Sequence, residues 1–306
     1  MSGRILVTGA HGFLGRHVVE QLANRDPLTP THRECDLTCQ SSVRAYVTKH
    51  RPTVVVHLAA ACGGIGANVA NPGRFLYENA LMGLILLEES RLAGANRFVL
   101  VSTTCAYPQD ASLPLREESF WDGAPVGATR PYGLAKRILH EACETYRRQY
   151  GFESMVLVPA NLYGPGDDFD ASSSHVVAAL VRRIFEAHRD GENTVTHWGT
   201  GTPTREFMFV RDAATAIRLA VDAPVPSDTT PINIGTGVET RIRDLVECVS
   251  SAVGFRGNHV FDHSKPDGQP RRFLDVARSK AVLGFHCATR LEDGIKETVQ
   301  WYQTIA

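Results

Sequence analysis

Apolar residues follow two periods along this chain, and the places where the period changes mark its elements. Short aliphatic runs at Ile5-Leu6-Val7, Thr53–Leu58, Arg97–Ser102 and Ser154–Pro159 have the length and β-branched content of fully buried strands. Between them apolar positions recur at helical spacing over Phe13–Asn24, Ser41–His50, Asn71–Leu92 and Tyr132–Tyr150. In Asn71–Leu92, the residues Phe75, Leu76, Leu81, Leu84, Ile85 and Leu87 cover a wide arc, which predicts burial on two sides. Leu28–His32 reads as a short, weakly marked second strand. Beyond Gly164-Pro165-Gly166 the regular alternation breaks down. Helices are expected there at His175–Asp190, Arg211–Val221, Ile242–Val253 and Leu291–Tyr302, with short strands at Val195–Trp198 and Ile232–Gly235 and an extended segment at Arg205–Val210.

The first strand runs into Gly9-Ala10-His11-Gly12-Phe13-Leu14-Gly15. Strand, glycine turn and helix start in this order make a phosphate cradle: one glycine for the tight turn, one for close backbone approach, one for helix-on-strand packing. The helix then aims free N–H groups and the positive end of its dipole at a pyrophosphate. A dinucleotide cofactor follows. The expected fold class is α/β, a Rossmann-type doubly wound parallel sheet with a smaller C-terminal α/β substrate lobe. Residues 1–165, with returning segments at about 206–240, form the expected cofactor domain, and residues 166–205 and 241–306 the lobe. Ligands of such a sheet sit at strand C-termini, which adds Leu58, Ala59 and Ala60, then Pro159, Asn161 and Leu162, to Gly9, His11, Gly12, Phe13, Leu14 and Gly15 as cofactor candidates. Arg33, Asp36 and Leu37 close the second strand. Arg33 suits a 2′-phosphate and no carboxylate stands where a free 2′-OH would bind, so NADP(H) is favoured over NAD(H).

Charge changes little. Of 306 residues 21% are charged and the net charge is −1, so no whole-protein field favours nucleic acid or an anionic membrane, and any anion site must be local. Seven cysteines at 35, 39, 62, 105, 143, 248 and 287 fit neither a disulfide framework nor a paired zinc site, and no metal is expected. No basic N-terminal region precedes an apolar stretch, and no apolar run approaches about 18 residues. The expected address is the cytoplasm, without membrane attachment.

The chemistry concentrates at three places. In Tyr132-Gly133-Leu134-Ala135-Lys136 the two ends share a helix face, so the ammonium is expected beside the phenol, favouring phenolate and lowering the tyrosine pKa. Such a tyrosine exchanges a proton with a carbonyl oxygen while nicotinamide exchanges hydride with its carbon. Elsewhere the same spacing is a buried tyrosine with an exposed lysine; following a glycine loop and four strand–helix units, the catalytic reading takes precedence. At the end of the fourth strand, Ser102-Thr103-Thr104-Cys105 brings hydroxyls and a thiol to the same place. Cys105 is either a base for a carbon acid α to a ketone or a small buried apolar residue, and spacing does not separate the two. His175, behind the capping-type serines Ser172, Ser173 and Ser174, is a proton donor near neutrality or an ordinary surface histidine.

Taken together these residues resemble the GDP-L-fucose synthase family of extended short-chain dehydrogenase/reductases. The likeness runs through Gly63-Gly64-Ile65-Gly66-Ala67-Asn68, Thr104-Cys105-Ala106-Tyr107-Pro108, Tyr132 to Lys136, Gln149-Tyr150-Gly151 and Pro159 to Pro165. It continues in Ser174-His175-Val176, Trp198 to Gly201, Arg205-Glu206-Phe207, Asn233 to Gly237 and Lys265-Pro266-Asp267-Gly268. It implies NADPH-dependent reduction at C4, after epimerisation at C3 and C5, of a nucleotide-linked 4-keto-6-deoxy hexose, foremost GDP-4-keto-6-deoxy-D-mannose. Cys105 and His175 match the family's base and acid, and Thr103, Tyr132 and Lys136 the residues that hold and protonate the C4 oxygen. Arg183, Trp198 and Arg205 match its diphosphate grip, and Asn161, Val176 and Arg272 join the implied substrate set. A homodimer through Asn71–Leu92 and Tyr132–Tyr150 is implied as well. The chain departs from the family with Thr103 for serine, a loop one residue shorter at Cys62, Arg272 for lysine, Gly127-Ala128-Thr129 for Pro-Thr-Asn, and His11 where some members place arginine. The alternatives are a related epimerase or reductase for a different sugar nucleotide, and a non-catalytic nucleotide sensor, which would not need Cys105, Tyr132, Lys136 and His175 together.

Overall fold

The computed structural model describes residues 4–171, 173–265 and 267–306. In chain order its first half contains β1 (Ile5–Thr8), α1 (Phe13–Gln21), α2 (Gln40–His50), β2 (Val54–His57), α3 (Ile65–Ala70), α4 (Pro72–Leu92), β3 (Arg97–Val101), α5 (Arg130–Tyr150), β4 (Glu153–Pro159) and β5 (Asn161–Tyr163). The second half contains α6 (Val176–Arg189), β6 (Thr194–Trp198), β7 (Thr204–Arg205), β8 (Phe207–Phe209), α7 (Val210–Asp222) and β9 (Ile232–Ile234). It ends with β10 (Thr240–Arg241), α8 (Ile242–Val253), β11 (Asn258–Asp262), α9 (Ala277–Leu283) and α10 (Leu291–Tyr302).

Five strands pair in parallel in the order β1-β2-β3-β4-β9. Both faces of the sheet are covered, because successive side chains of a strand point to opposite sides. Ile5, Val7, Val56 and Leu157 join Val18 and Leu22 of the α1 side and Ala213 and Ile217 of α7 in one core. Leu6, Val55, Phe98 and Val156 join Val43 and Val47 of α2, Leu86 of α4 and Leu139 of α5 in the other. This is the expected Rossmann-like α/β architecture.

The expected second strand at Leu28–His32 shrinks to one bridge. Leu28 donates to Ile5 O at 2.8 Å and accepts from Val7 N at 2.9 Å, and the ladder stops there. The next donor in register is Pro30, which has no N–H. From β1 the chain nonetheless goes to Leu28 on one side and β2 on the other, so the crevice of the sheet opens at the C-terminal end of β1.

A further core lies beyond this sheet. Tyr163, Phe169, Val181, Ile184, Val195, Leu245, Val249, Ile295 and Val299 bring α6, α8, α10 and the parallel pair β6–β11 together. β11, α3 and α9 have no counterpart in the sequence expectation. Arc burial on α4 is partial: α2 and α5 pack on it, yet Leu76 and Leu84 each remain 37% exposed beside Tyr77, and Ile138 of α5 is exposed too. Among the described residues, no helix is long and apolar enough to cross a membrane.

Candidate active site

The glycine loop has the geometry a diphosphate needs. Gly9 sits at φ +69° where a Cβ would strike Ala59 N, and Gly15 packs on Gly9 O with no room for a Cβ. Gly12 N closes the turn on Gly9 O at 3.1 Å. As N-cap of α1, Gly12 offers no side-chain acceptor, and the first turn holds no carboxylate, so the leading N–H groups from Phe13 and Leu14 onward are free for an anion. This cradle fits a dinucleotide pyrophosphate. Around it, Leu58 N bonds Thr8 O at 3.3 Å and leads into Ala59 and Ala60, while Pro159 closes β4 at the same sheet edge. Asn161 Nδ2 donates to Glu206 O at 2.9 Å, and Leu162 packs on the first core. At the rim His11 Nε2 lies 3.1 Å from Thr29 O and Arg33 is exposed. Asp36 is committed to the Thr38 hydroxyl and N–H at 2.7 and 2.9 Å, which hold its pKa below the usual carboxylate range, and Leu37 is buried.

Helix α5 places Tyr132 in its first turn, after Pro131, and Lys136 one turn on. Gly133 lets the helix approach, since the position of its missing Cβ is occupied by Cys105 O. The Tyr132–Lys136 pair forms, but the expected direction of the tyrosine shift is reversed. Burial, followed by the neighbouring Cys62 and Cys105 thiols, raises the Tyr132 pKa well above its ordinary value. The ammonium does not sit at the phenol oxygen: Lys136 Nζ donates to Val101 O at 3.0 Å and lies 5.8 Å from the Tyr132 ring centroid. Burial pulls the pKa of Lys136 down to about 8, with Cys62 opposing the shift. Thr103 caps the turn that follows β3, its hydroxyl accepting the Cys105 N–H at 3.2 Å, and Arg272 donates to Thr104 O. Thr103, Cys105, Tyr132, Lys136 and Arg272 thus meet at the C-terminal edge of β3.

His175 is the N-cap residue of α6 in extended conformation, without a side-chain cap bond, so the expected serine capping is absent. Ser173 instead gives its hydroxyl to Asp168 Oδ2 at 2.5 Å, and Ser172 lies outside the described residues. His175 itself is exposed, yet the desolvation of its ring by surrounding protein lowers its pKa while Asp168 opposes that shift. Val176 follows, one-third exposed. Arg183 of the same helix donates to Thr196 O, and Trp198 at the end of β6 is exposed with Lys265 Nζ 6.0 Å from its ring. The pKa values of Arg183, Arg205 and Arg272 are all lowered by burial, and Arg205 also by the charge of Arg272. Among the described residues none of the three forms an ion pair with a carboxylate. Cations taken partly out of water without a counter-ion are poised for an anionic ligand. Pro266 of the Lys-Pro-Asp-Gly segment lies outside the described residues, while Asp267 binds the Thr200 N–H and hydroxyl at 2.6 and 2.8 Å.

Several polar groups here escaped the sequence reading. His57 is buried beneath the pair, Nδ1 2.8 Å from Thr8 Oγ1, and burial with the nearby Lys136 charge pushes its pKa down to about 3. Burial pushes the Asp167 carboxyl up to about 7 despite a bond from the Asp168 N–H at 2.8 Å, and its Oδ2 has no partner among the described residues. Two adjacent carboxylates straight after Gly164-Pro165-Gly166 were the available signal. A cavity of about 900 Å³ lined by Phe207, Val238, Cys248, Phe285 and Cys287 contains none of the candidate catalytic residues.

Comparison with known proteins agrees with this arrangement. The NAD dependent epimerase/dehydratase family pattern matches residues 5–235. A GDP-L-fucose synthase of Sinorhizobium fredii is 37% identical over 97% of this chain and 94% of its own length. Among solved structures, a GDP-6-OMe-4-keto-L-xylo-heptose reductase from C. jejuni superposes with a TM-score of 0.91 at 28% identity, covering 100% of this chain and 99% of that one. A GDP-L-fucose synthetase from Naegleria fowleri bound to NADP gives 0.87 at 27% identity, covering 99% and 94%.

Proposed function

Since this chain belongs to the NAD dependent epimerase/dehydratase family and, within it, to the GDP-L-fucose synthase family, we propose that it epimerises C3 and C5 of GDP-4-keto-6-deoxy-D-mannose and reduces C4 to give GDP-L-fucose. The observation that carries the proposal is the meeting of Thr103, Cys105, Tyr132 and Lys136 beside the glycine loop, with Arg205 and Arg272 adjoining and, among the described residues, in no ion pair.

The C4 ketone acidifies the C–H bonds on both sides, so one oxyanion site serves both epimerisations. The Cys105 thiolate takes the proton from C3 or C5, and His175 returns one to the opposite face. Tyr132, kept protonated by its burial, donates a hydrogen bond to the C4 oxygen with the Thr103 hydroxyl, and gives its proton to that oxygen on reduction. Lys136 holds the Tyr132 ring in register through its bond to Val101 O and replenishes the phenol proton. When bound, the nicotinamide supplies hydride to C4. Gly9, Gly12, Phe13, Leu14 and Gly15 would hold its pyrophosphate; Leu58, Ala59, Ala60, Pro159, Asn161 and Leu162 would line its course; and Arg33 with His11 would favour NADP over NAD. Arg183, Trp198, Arg205 and Arg272 grip the nucleotide diphosphate, with Asn161 and Val176 along the sugar. On this reading residues 1–165 and 206–240 carry the cofactor and the remaining segments the sugar nucleotide. The protein works in the cytoplasm as a homodimer, whose exposed Leu76, Tyr77, Leu84 and Ile138 are covered by the second copy.

The deciding experiment incubates the protein with GDP-4-keto-6-deoxy-D-mannose and NADPH in D2O and reads the product by NMR. Deuterium at C3 and C5 of a reduced fucose supports the proposal in full. Deuterium without reduction restricts the enzyme to epimerisation. Absence of both, with turnover of another GDP-linked keto sugar, refutes the substrate assignment.

A further inference from the structure

The carboxylate of Asp168 is committed on both oxygens to the loop that ends at His175. Oδ1 accepts the Asp170 N–H at 2.9 Å and Oδ2 accepts the Ser173 hydroxyl at 2.5 Å. From the other side, Gly64 N donates to Ser173 O at 3.3 Å, and the Cα of Gly64 faces the carbonyls of Ser173 and Ser174. The two residues before His175 are therefore clamped between Asp168 and the segment that follows β2.

His175 needs such help. It caps a helix N-terminus, where the dipole disfavours a cation, and although the residue is exposed, the protein packed around its ring disfavours one again. The ionisable groups on the elements around it are Asp167, Asp168 and Asp170 of the loop, Cys62 beyond β2, and Arg182 and Arg183 one to two turns along α6. The charge that acts on the imidazole is that of Asp168, and it favours the protonated form.

We propose that Asp168 is a positioning residue for His175: it sets the loop that presents the imidazole, through its bonds to Asp170 and Ser173, and places a carboxylate on the same loop as the imidazolium. The role in turnover rests on the reading of His175 as proton donor. The sign is definite. Removing the charge makes the imidazolium harder to form, so the loss must grow as pH rises and vanish where both proteins are protonated.

The test is an NMR titration of isotope-labelled histidine in the whole protein, with the His175 signal identified by its loss in His175→Gln. In Asp168→Asn, which keeps an acceptor for the Asp170 N–H, the midpoint is expected at lower pH than in wild type, and Asp168→Glu is expected to restore it. Turnover of the GDP-keto sugar should fall about threefold or more at pH 8 and stay within about twofold at pH 6, with KM little changed. Coincident midpoints in wild type and Asp168→Asn overturn the proposal. A shifted midpoint with an unshifted rate profile upholds the Asp168–His175 pairing and removes His175 from the donor role. If Asp168→Asn fails to fold, the wild-type midpoint measured between 0.05 and 0.5 M salt decides. A move to lower pH as salt screens the two exposed groups from one another supports the coupling, and a midpoint indifferent to salt refutes it.

Discussion

Replacing Lys136 by methionine should abolish reduction while leaving the fold as stable as before or more so. The side chain is 2% exposed, and among the described residues its ammonium has one hydrogen-bond partner, Val101 O at 3.0 Å. Its pKa falls from 10.5 to about 8 on folding, a gap worth about 3 kcal/mol at ~1.36 kcal/mol per pH unit. Between those pH values the unfolded chain binds the extra proton, so this cost is fully present below pH 8 and disappears as pH rises past 10.5. Methionine removes the buried charge at similar volume. Against that, it leaves the Val101 carbonyl without its donor, a loss of roughly 1–3 kcal/mol. The expected net change at pH 7 lies between about 0 and 2 kcal/mol in favour of Lys136→Met, a rise in Tm of at most about 4 °C. The advantage should shrink at pH 10, where wild type has shed its proton. Urea unfolding followed by circular dichroism at both pH values measures this, with reduction assayed by loss of NADPH absorbance. A variant less stable than wild type by more than about 2 kcal/mol at pH 7 would show that the ammonium is held favourably, and would sink the argument from burial.

Two further outcomes follow from the same cleft. His57 stays neutral in the fold down to about pH 3 but takes up a proton near 6.5 when unfolded, so wild type should lose stability as pH falls through that window, by about 3 kcal/mol at pH 4 from this group; His57→Gln should lose correspondingly less between pH 7 and 4 in urea titrations, and equal losses would refute the assignment. Gly133→Ala drives a methyl into the Cys105 carbonyl, with an expected cost of about 1–3 kcal/mol or more and displacement of the thiol from Tyr132; unchanged stability together with unchanged deuterium exchange at C3 would mean that the helix does not need this close approach.

Much of the first half was legible because its signals are local. Aliphatic runs of strand length, helical arcs and a glycine turn between strand and helix depend on neighbours in sequence, and each appears in the structure within a few residues. Leu28–His32 shows where such reading fails: its composition allows a strand, but extension depends on which N–H groups face β1, and Pro30 faces it without one. The lobe was less legible because its pairings join distant segments. Asn258–Asp262 becomes a strand only by lying in register with Thr194–Trp198.

Along the site the same division holds. The sequence alone determined that a glycine turn joins the first strand to the first helix, that Tyr132 and Lys136 share a helix face, and that a thiol follows the fourth expected strand, since these are facts of spacing and period. Only the tertiary structure decided the charges. Whether Lys136 lowers or fails to lower the pKa of Tyr132 depends on the ammonium turning to Val101 O and on how much water the fold removes, and burial with the two neighbouring thiols sets the direction. Likewise Asp168 bears on His175 because the loop folds back on Ser173. Electrostatic energies depend on distance and dielectric, and both are properties of the packed chain.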